Sequence, residues 1–292
     1  MDSIIGNDIH LSEGYICKLQ KRASKGLSSF VEEVRLECIK SSILHWDDTV
    51  IFINTKRGCM RFYGNDRLAL YKAHEKKNRD GIDEDKVLGA LGSETTVIHD
   101  HVTMNYNDDF HFRNAECVQH LNRDIQKVID ISEHSWAVQL KELISQTVHK
   151  RNELVAAGAE GFTSQELYGF LHSVDALLEL ANTEHQESIG RYYENDEQRL
   201  ITRIDKYKDN HFLWAKDFSV APTNNLAERS LRGQKVKQKV SGQFQSVEAA
   251  GFFADIRTYT ETCYRNGIDT FEALVRLTSG NPFTLREILG EA

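Results

Sequence analysis

The sequence predicts an α/β protein: a mixed sheet flanked by helices, with a large all-helical insertion. Three observations predict it. Residues 43–74 and 95–101 hold short runs rich in β-branched and aromatic residues, separated by turn residues. From about 120 to 210, apolar residues recur at three- and four-residue steps. The same helical period brackets these stretches, in residues 12–42 and again from 223 onward.

The totals narrow the class. A chain of 292 residues has room for one large domain or two smaller ones with a substantial core. With 40% hydrophobic and 27% charged residues it has an ordinary globular composition. No apolar run approaches the roughly 20 residues of a membrane span, and Met1–Asp8 shows no basic-then-apolar leader pattern. A cytoplasmic protein with no membrane partner is expected. Cys17, Cys38, Cys59, Cys117 and Cys263 are odd in number and form no Cys-x-x-Cys pair, so reduced thiols and no zinc are expected. The net charge of −8 argues against a chain-wide nucleic-acid surface, but it leaves room for a local basic patch.

In chain order, Ser12 can cap a helix through Tyr15, Ile16, Leu19 and Ala23, and Leu27, Phe30, Val31, Val34 and Cys38 share one face of the next. This helical lead-in spans residues 1–42. Ile43–Ile53 reads as a strand, Asn54–Gly58 as a turn, Cys59–Gly64 as a second strand and Leu68–His74 as a third, an antiparallel meander. Residues 83–91 read as a short helix with acids in its first turn. Thr95–His101 reads as a fourth strand carrying Asp100 at its C-terminal end, where α/β sheets place ligands. Cys117 and His120 have zinc-like spacing but no second pair. A core cysteine beside a hydrogen-bonded histidine is the better reading.

Helices fill 121–210, including one opened by the capping box Thr163-Ser-Gln-Glu166. Another runs from Val247 to Thr262, and a last one starts at Asp269 or Thr270. Residues 43–120 and 211–292 together would make the catalytic core, with 121–210 as the insertion.

The most informative stretch is Thr223-Asn224-Asn225-Leu226-Ala227-Glu228-Arg229-Ser230-Leu231-Arg232. Thr223 and Asn224 suit a helix N-cap, which puts Glu228 in the second turn. Arg229, Arg232, Lys235, Lys237 and Lys239 follow with no acid among them. A carboxylate beside a basic run suits a site that holds a divalent metal and a phosphodiester together. Asp47 and Asp48 interrupt the first strand, and strand alternation sends them to opposite faces, so one of the two can point into a site.

Three strands, a helix, a strand and further helices, with Asp47, Asp100 and Glu228 at those points, is the layout of the ribonuclease-H-like fold, the fold of retroviral integrases. Such sites gather carboxylates around two Mg²⁺ or Mn²⁺ ions about 3.5–4 Å apart.

Four blocks carry a family resemblance: His45-Trp46-Asp47-Asp48-Thr49, Ile98-His99-Asp100-His101, Cys117-x-x-His120-Leu-x-Arg123 and Asn224-Asn225-x-Ala227-Glu228-Arg229-x-Leu231-Arg232. From about residue 10 to 285 the chain resembles the DDE transposases of the insertion sequence sixty-six family.

The resemblance implies that Asp47, Asp100 and Glu228 are the catalytic, metal-binding triad, with Asp48 in reserve and His120, Arg123 and Asn225 in support. It implies two divalent ions, Mg²⁺ or Mn²⁺, and contacts from the five basic residues to double-stranded DNA at transposon ends and target. It also implies nicking at the ends, joining of the freed 3′-hydroxyl, and action as a homo-oligomer in a bacterial cytoplasm, on the nucleoid when DNA-bound.

The family's N-terminal coiled coil, helix-turn-helix and cysteine-rich segment have no counterpart in this sequence, so a catalytic core without its end-recognition module is expected. Two other readings remain. One is a metal-dependent nuclease or phosphohydrolase using His99, Asp100, His101 and His120. The other is a relic that only binds DNA or a partner through residues 229–239.

Overall fold

A computed structural model describes residues 12–132 and 134–290. Residues 1–11 of the expected lead-in lie outside them. The chain divides into two compact units. Unit 1 takes the residues up to Thr95, Asp109–His111, and those from Asn225 on; unit 2 takes Thr96–Asp108 and Phe112–Asn224.

Unit 1 opens with helices Glu13–Gly26 and Ser28–Lys40. Ser12 caps the first, its hydroxyl accepting from the Tyr15 N–H at 3.2 Å. The second buries Phe30, Val31, Val34 and Cys38, the face read from the sequence. Three strands follow as an antiparallel meander: β1 (Ile43–Ile53), β2 (Lys56–Gly64) and β3 (Ala69–His74). The first turn is tighter than the expected Asn54–Gly58. Asn54 and Thr55 alone make it, at φ 44° and 67°, and Ile53 pairs directly with Lys56. Two positive-φ residues match the right-handed twist of the strands they join, so the ladder can begin again at once.

The helix expected over 83–91 instead forms as Arg79–Asp85, followed by a separate 3₁₀ turn at Leu88–Ala90. Asn78 caps it, and Lys86 ends it in the left-handed region at φ 52°. The break turns the Asp85 carboxylate inward, where it receives Tyr63 O–H at 2.8 Å and contacts His74 Nε2 at 2.7 Å and the fully buried Arg61 at 3.4 Å.

Helix Val247–Arg265 packs on β3 and finishes its polar edge. Thr258 and Thr262 hydroxyls accept from the Tyr71 and Ala69 N–H groups at 2.9 and 3.2 Å. Backbone donors on an outer strand would otherwise offer a template for pairing with another chain. Helix Thr270–Thr278 and the short helix Leu285–Leu289 follow.

Unit 2 holds a parallel strand pair, β4 (Thr96–His99) and β5 (Arg113–Glu116), with His99 opposite Glu116. β4 ends at His99, short of the expected His101. There the His99 ring turns back, its Nδ1 2.7 Å from the Asp100 carbonyl oxygen. β5 carries the sequence Arg-Asn-Ala-Glu, with no strand signal of its own, and is held by its pairing to β4.

Helices Val118–Ser132, Ser135–Ala156, Ser164–Glu184 and Glu194–Lys206 follow. Their apolar faces bury Leu121, Ile125, Trp136, Leu140, Ile144, Val174, Ile201 and Ile204. The buried Arg151 guanidinium ties the end of this bundle by donating to the carbonyls of Trp214, Phe218 and Val220 at 3.3, 2.6 and 2.9 Å. With three antiparallel and two parallel strands among many helices, the fold is mixed α/β.

Candidate metal and nucleic-acid site

Unit 1 carries two of the three candidate carboxylates. β1 presents Asp47 opposite Phe62 and Asp48 opposite Arg61, so alternation separates them as the strand period requires. Asp48 is already engaged. Its Oδ1 lies 2.5 Å from Lys77 Nζ, and its Oδ2 accepts weakly from the Cys59 thiol at 3.6 Å. Asp47 Oδ1 accepts the Asp48 backbone N–H at 2.7 Å.

The basic helix runs Asn225–Ser241 and packs on β1 and β2, burying Ala227 and Leu231 against Ile51, Ile53, Met60 and Phe62. Because it starts at Asn225, Glu228 falls in its first turn, not its second, where the helix dipole favours a carboxylate. Arg229, Arg232, Lys235 and Lys239 are exposed. Lys237 is not: its ammonium lies over the Phe244 ring, 3.9 Å from the centroid, and burial lowers its pKa. Of the five expected phosphate contacts, Lys237 is thus committed to an aromatic face.

Unit 2 carries the third. Asp100 follows β4 directly, and the Cys117 N–H bonds the His99 carbonyl at 2.9 Å, bringing the start of helix Val118–Ser132 beside it. His120, in that helix's first turn, places Nδ1 2.9 Å from Asp100 Oδ1. Its contacts with Asp100 and then Cys117 outweigh burial and raise its pKa to about 10. An imidazolium therefore sits on the Asp100 carboxylate at neutral pH.

The ligand atoms of Asp100, Cys117 and His120 lie within 4.8 Å of one another. The Cys117 sulfur also accepts the Asn224 N–H at 3.2 Å, so the core-cysteine reading describes its surroundings. Arg123 is exposed, one turn beyond His120.

The histidines beside Asp100 do not join it in one ligand set. His99 is buried, with Nε2 2.8 Å from Asn114 Oδ1 and Nδ1 2.7 Å from the Asp100 carbonyl oxygen and 2.9 Å from the Asn105 amide nitrogen. Burial lowers its pKa. His101 turns instead to Glu116, at 2.6 Å. Of the set His99, Asp100, His101 and His120, Asp100 and His120 pair with each other, while His99 and His101 turn to other partners.

Asp47, Asp100 and Glu228 are each half-buried, neither sealed in the core nor fully solvated. As hard oxygen donors they suit Mg²⁺ or Mn²⁺. Among the residues that sequence patterns did not single out, Lys77 pairs with Asp48, and Tyr106, Glu116 and His211 gather with His101; none has a spacing signal that could have revealed it. Among the described residues, no helix is long and apolar enough to cross a membrane.

No curated protein matches the chain. The family model described as "Transposase IS66 family" matches residues 2–251, most of the sequence. The chain belongs to the IS66 family of transposases, DNA-processing proteins of mobile insertion sequences.

Proposed function

We propose that this chain cleaves DNA strands at transposon ends and joins them to target DNA, with Asp47, Asp100 and Glu228 as its metal-binding triad on a ribonuclease-H-like core. The observation that carries the choice of Asp47 is the Asp48–Lys77 ion pair, which occupies the other candidate on β1. Family membership supports the reaction class. The order of antiparallel meander, helix, parallel strand pair and helix supports the fold assignment.

Two divalent ions, when bound, would activate the attacking hydroxyl and stabilise the leaving oxygen of an in-line displacement. The chain's own residues have separate tasks. His120 orients the Asp100 carboxylate through their 2.9 Å contact. Arg229, Arg232, Lys235 and Lys239 neutralise backbone phosphates, which fixes the duplex without reading its sequence. The insertion over 121–210, pairing of two DNA ends by a homo-oligomer, and a bacterial, nucleoid-associated location belong to the same reading.

The test is strand transfer from a precleaved, 3′-hydroxyl-ended duplex in Mg²⁺ and in Mn²⁺. Glu228→Gln and Asp47→Asn should each lower joining by on the order of 10²-fold or more, while Asp48→Asn, matched for folded protein, keeps most of it. Joining that survives Glu228→Gln but disappears with Asp48→Asn would overturn the assignment.

A further inference from the structure

Unit 2 contains a second constellation that the proposed reaction does not use. Glu116 closes β5 with its side chain only 2% exposed. Its Oε1 accepts from the Tyr106 hydroxyl and lies 2.6 Å from His101 Nδ1. Its Oε2 lies 3.2 Å from Nδ1 of His211, which comes from the short helix Lys208–His211.

His211 is 1% exposed; its Nδ1 faces the Glu116 carboxylate at 3.2 Å without hydrogen-bond geometry, and its Nε2 has no hydrogen-bond partner. Buried polar atoms without a hydrogen-bond partner are rare enough to need a cause. The His101 and His211 rings lie nearly parallel, 23° apart, with centroids separated by 6.2 Å. The three ligating atoms all fall within 4.8 Å of one another.

We propose that His101, Glu116 and His211 bind a divalent transition metal, zinc by preference. Two imidazole nitrogens and one carboxylate oxygen form a borderline donor set, which favours Zn²⁺ over the oxygen-seeking Mg²⁺. Ligand bonds of about 2.0–2.1 Å in a tetrahedron set donors roughly 3.3 Å apart. The Glu116–His211 pair already has that spacing, and the Glu116–His101 pair needs to open by less than 1 Å or so.

His101 also lines a cavity of about 700 Å³, together with Arg199, Arg203, Lys206 and Tyr207. His101 follows Asp100 directly, and Glu116 precedes Cys117. A metal here clamps the ends of β4 and β5 and fixes the loop that carries Asp100.

Metal content and stability test this without any activity assay. The purified chain, stripped with a chelator and dialysed against Zn²⁺, should retain one equivalent by elemental analysis. Co²⁺ substitution should give visible absorption bands typical of a tetrahedral site. Zn²⁺ should raise the melting temperature, and Mg²⁺ at the same concentration should not. Glu116→Gln and His211→Gln should lose the bound metal. So should His101→Gln, whose partly exposed position spares the core and keeps the test readable if the buried variants fail to fold. His120→Gln should retain it. Absence of stoichiometric zinc in the wild type overturns the proposal. Loss of zinc in His120→Gln with retention in His101→Gln would also overturn it, because the ion would then sit on Asp100, Cys117 and His120. Failure of the Asp47, Asp100 and Glu228 triad would leave these results unchanged.

Discussion

Unit 2 buries two glutamates among histidines and finishes them differently. Glu197 has no exposed surface and receives four donors: His134 Nδ1 at 2.6 Å, Trp136 Nε1 at 3.0 Å, His185 Nδ1 at 2.8 Å and Ser188 Oγ at 2.5 Å. Every one of those groups is spent. Glu116 is nearly as buried, but beside it stands a histidine whose Nδ1 only approaches the carboxylate, at 3.2 Å, and whose Nε2 has no hydrogen-bond partner. The first cluster is a closed network that joins helices. The second keeps ligand capacity in reserve and opens through His101 onto a cavity. Burial of a carboxylate therefore does not mark a site; leftover donor capacity beside it does.

The harshest way to break this comparison is truncation of the closed network. Glu197→Ala removes the acceptor of four buried donors and should cost about 3–5 kcal/mol, read as a lower urea midpoint at unchanged slope. In metal-free protein, Glu116→Ala should cost less, because its hydrogen bonds come from two groups, His101 and Tyr106, where Glu197 has four. Equal losses would mean that both clusters are purely structural.

Much of the scaffold was legible because its pattern is local. The helix face of Phe30, Val31, Val34 and Cys38 and the capping box at Thr163 and Glu166 follow from spacing alone, and both form. β5 was invisible, because Arg113–Glu116 has no apolar alternation and exists through its partner strand. The helix break at Lys86 was invisible for a similar reason: it comes with contacts from Asp85 to Arg61 and Tyr63, residues distant in sequence.

The candidate site divides in the same way. Alternation separated Asp47 from Asp48, but only the fold shows Lys77 occupying Asp48. Cysteine spacing led to the expectation of no zinc, yet His101, Glu116 and His211 are spread over more than a third of the chain and leave no spacing to recognise.

Acid sharpens the contrast. Burial opposes ionisation of Glu197, but the hydrogen bonds from Ser188, His185, Trp136 and His134 outweigh it and hold its folded pKa below the ordinary glutamate range. A depressed carboxylate contributes stability that is fully present above the unfolded pKa and is lost as pH falls through the folded one. Stability of the wild type should therefore fall steeply below about pH 4.5. Glu197→Gln should start lower at neutral pH and follow a flatter curve through that window, in urea titrations taken every half unit of pH. An unchanged acid slope in Glu197→Gln would show that the network does not hold the carboxylate ionised.

The smallest effect separates the clusters most cleanly. Ser188→Ala removes one of four donors to Glu197, and Tyr106→Phe removes one donor to Glu116. Each should cost about 1 kcal/mol in metal-free protein, so stability alone cannot tell them apart. Zinc can. Tyr106 shares the oxygen Oε1 with His101, and a metal drawing on that carboxylate competes with the hydroxyl for its lone pairs. Tyr106→Phe should therefore change zinc affinity severalfold in a competition titration against a chromogenic chelator, while Ser188→Ala leaves it unchanged. If Ser188→Ala shifts zinc affinity as much, the two networks act as one unit, and the difference between a spent carboxylate and one with capacity in reserve does not hold in this protein.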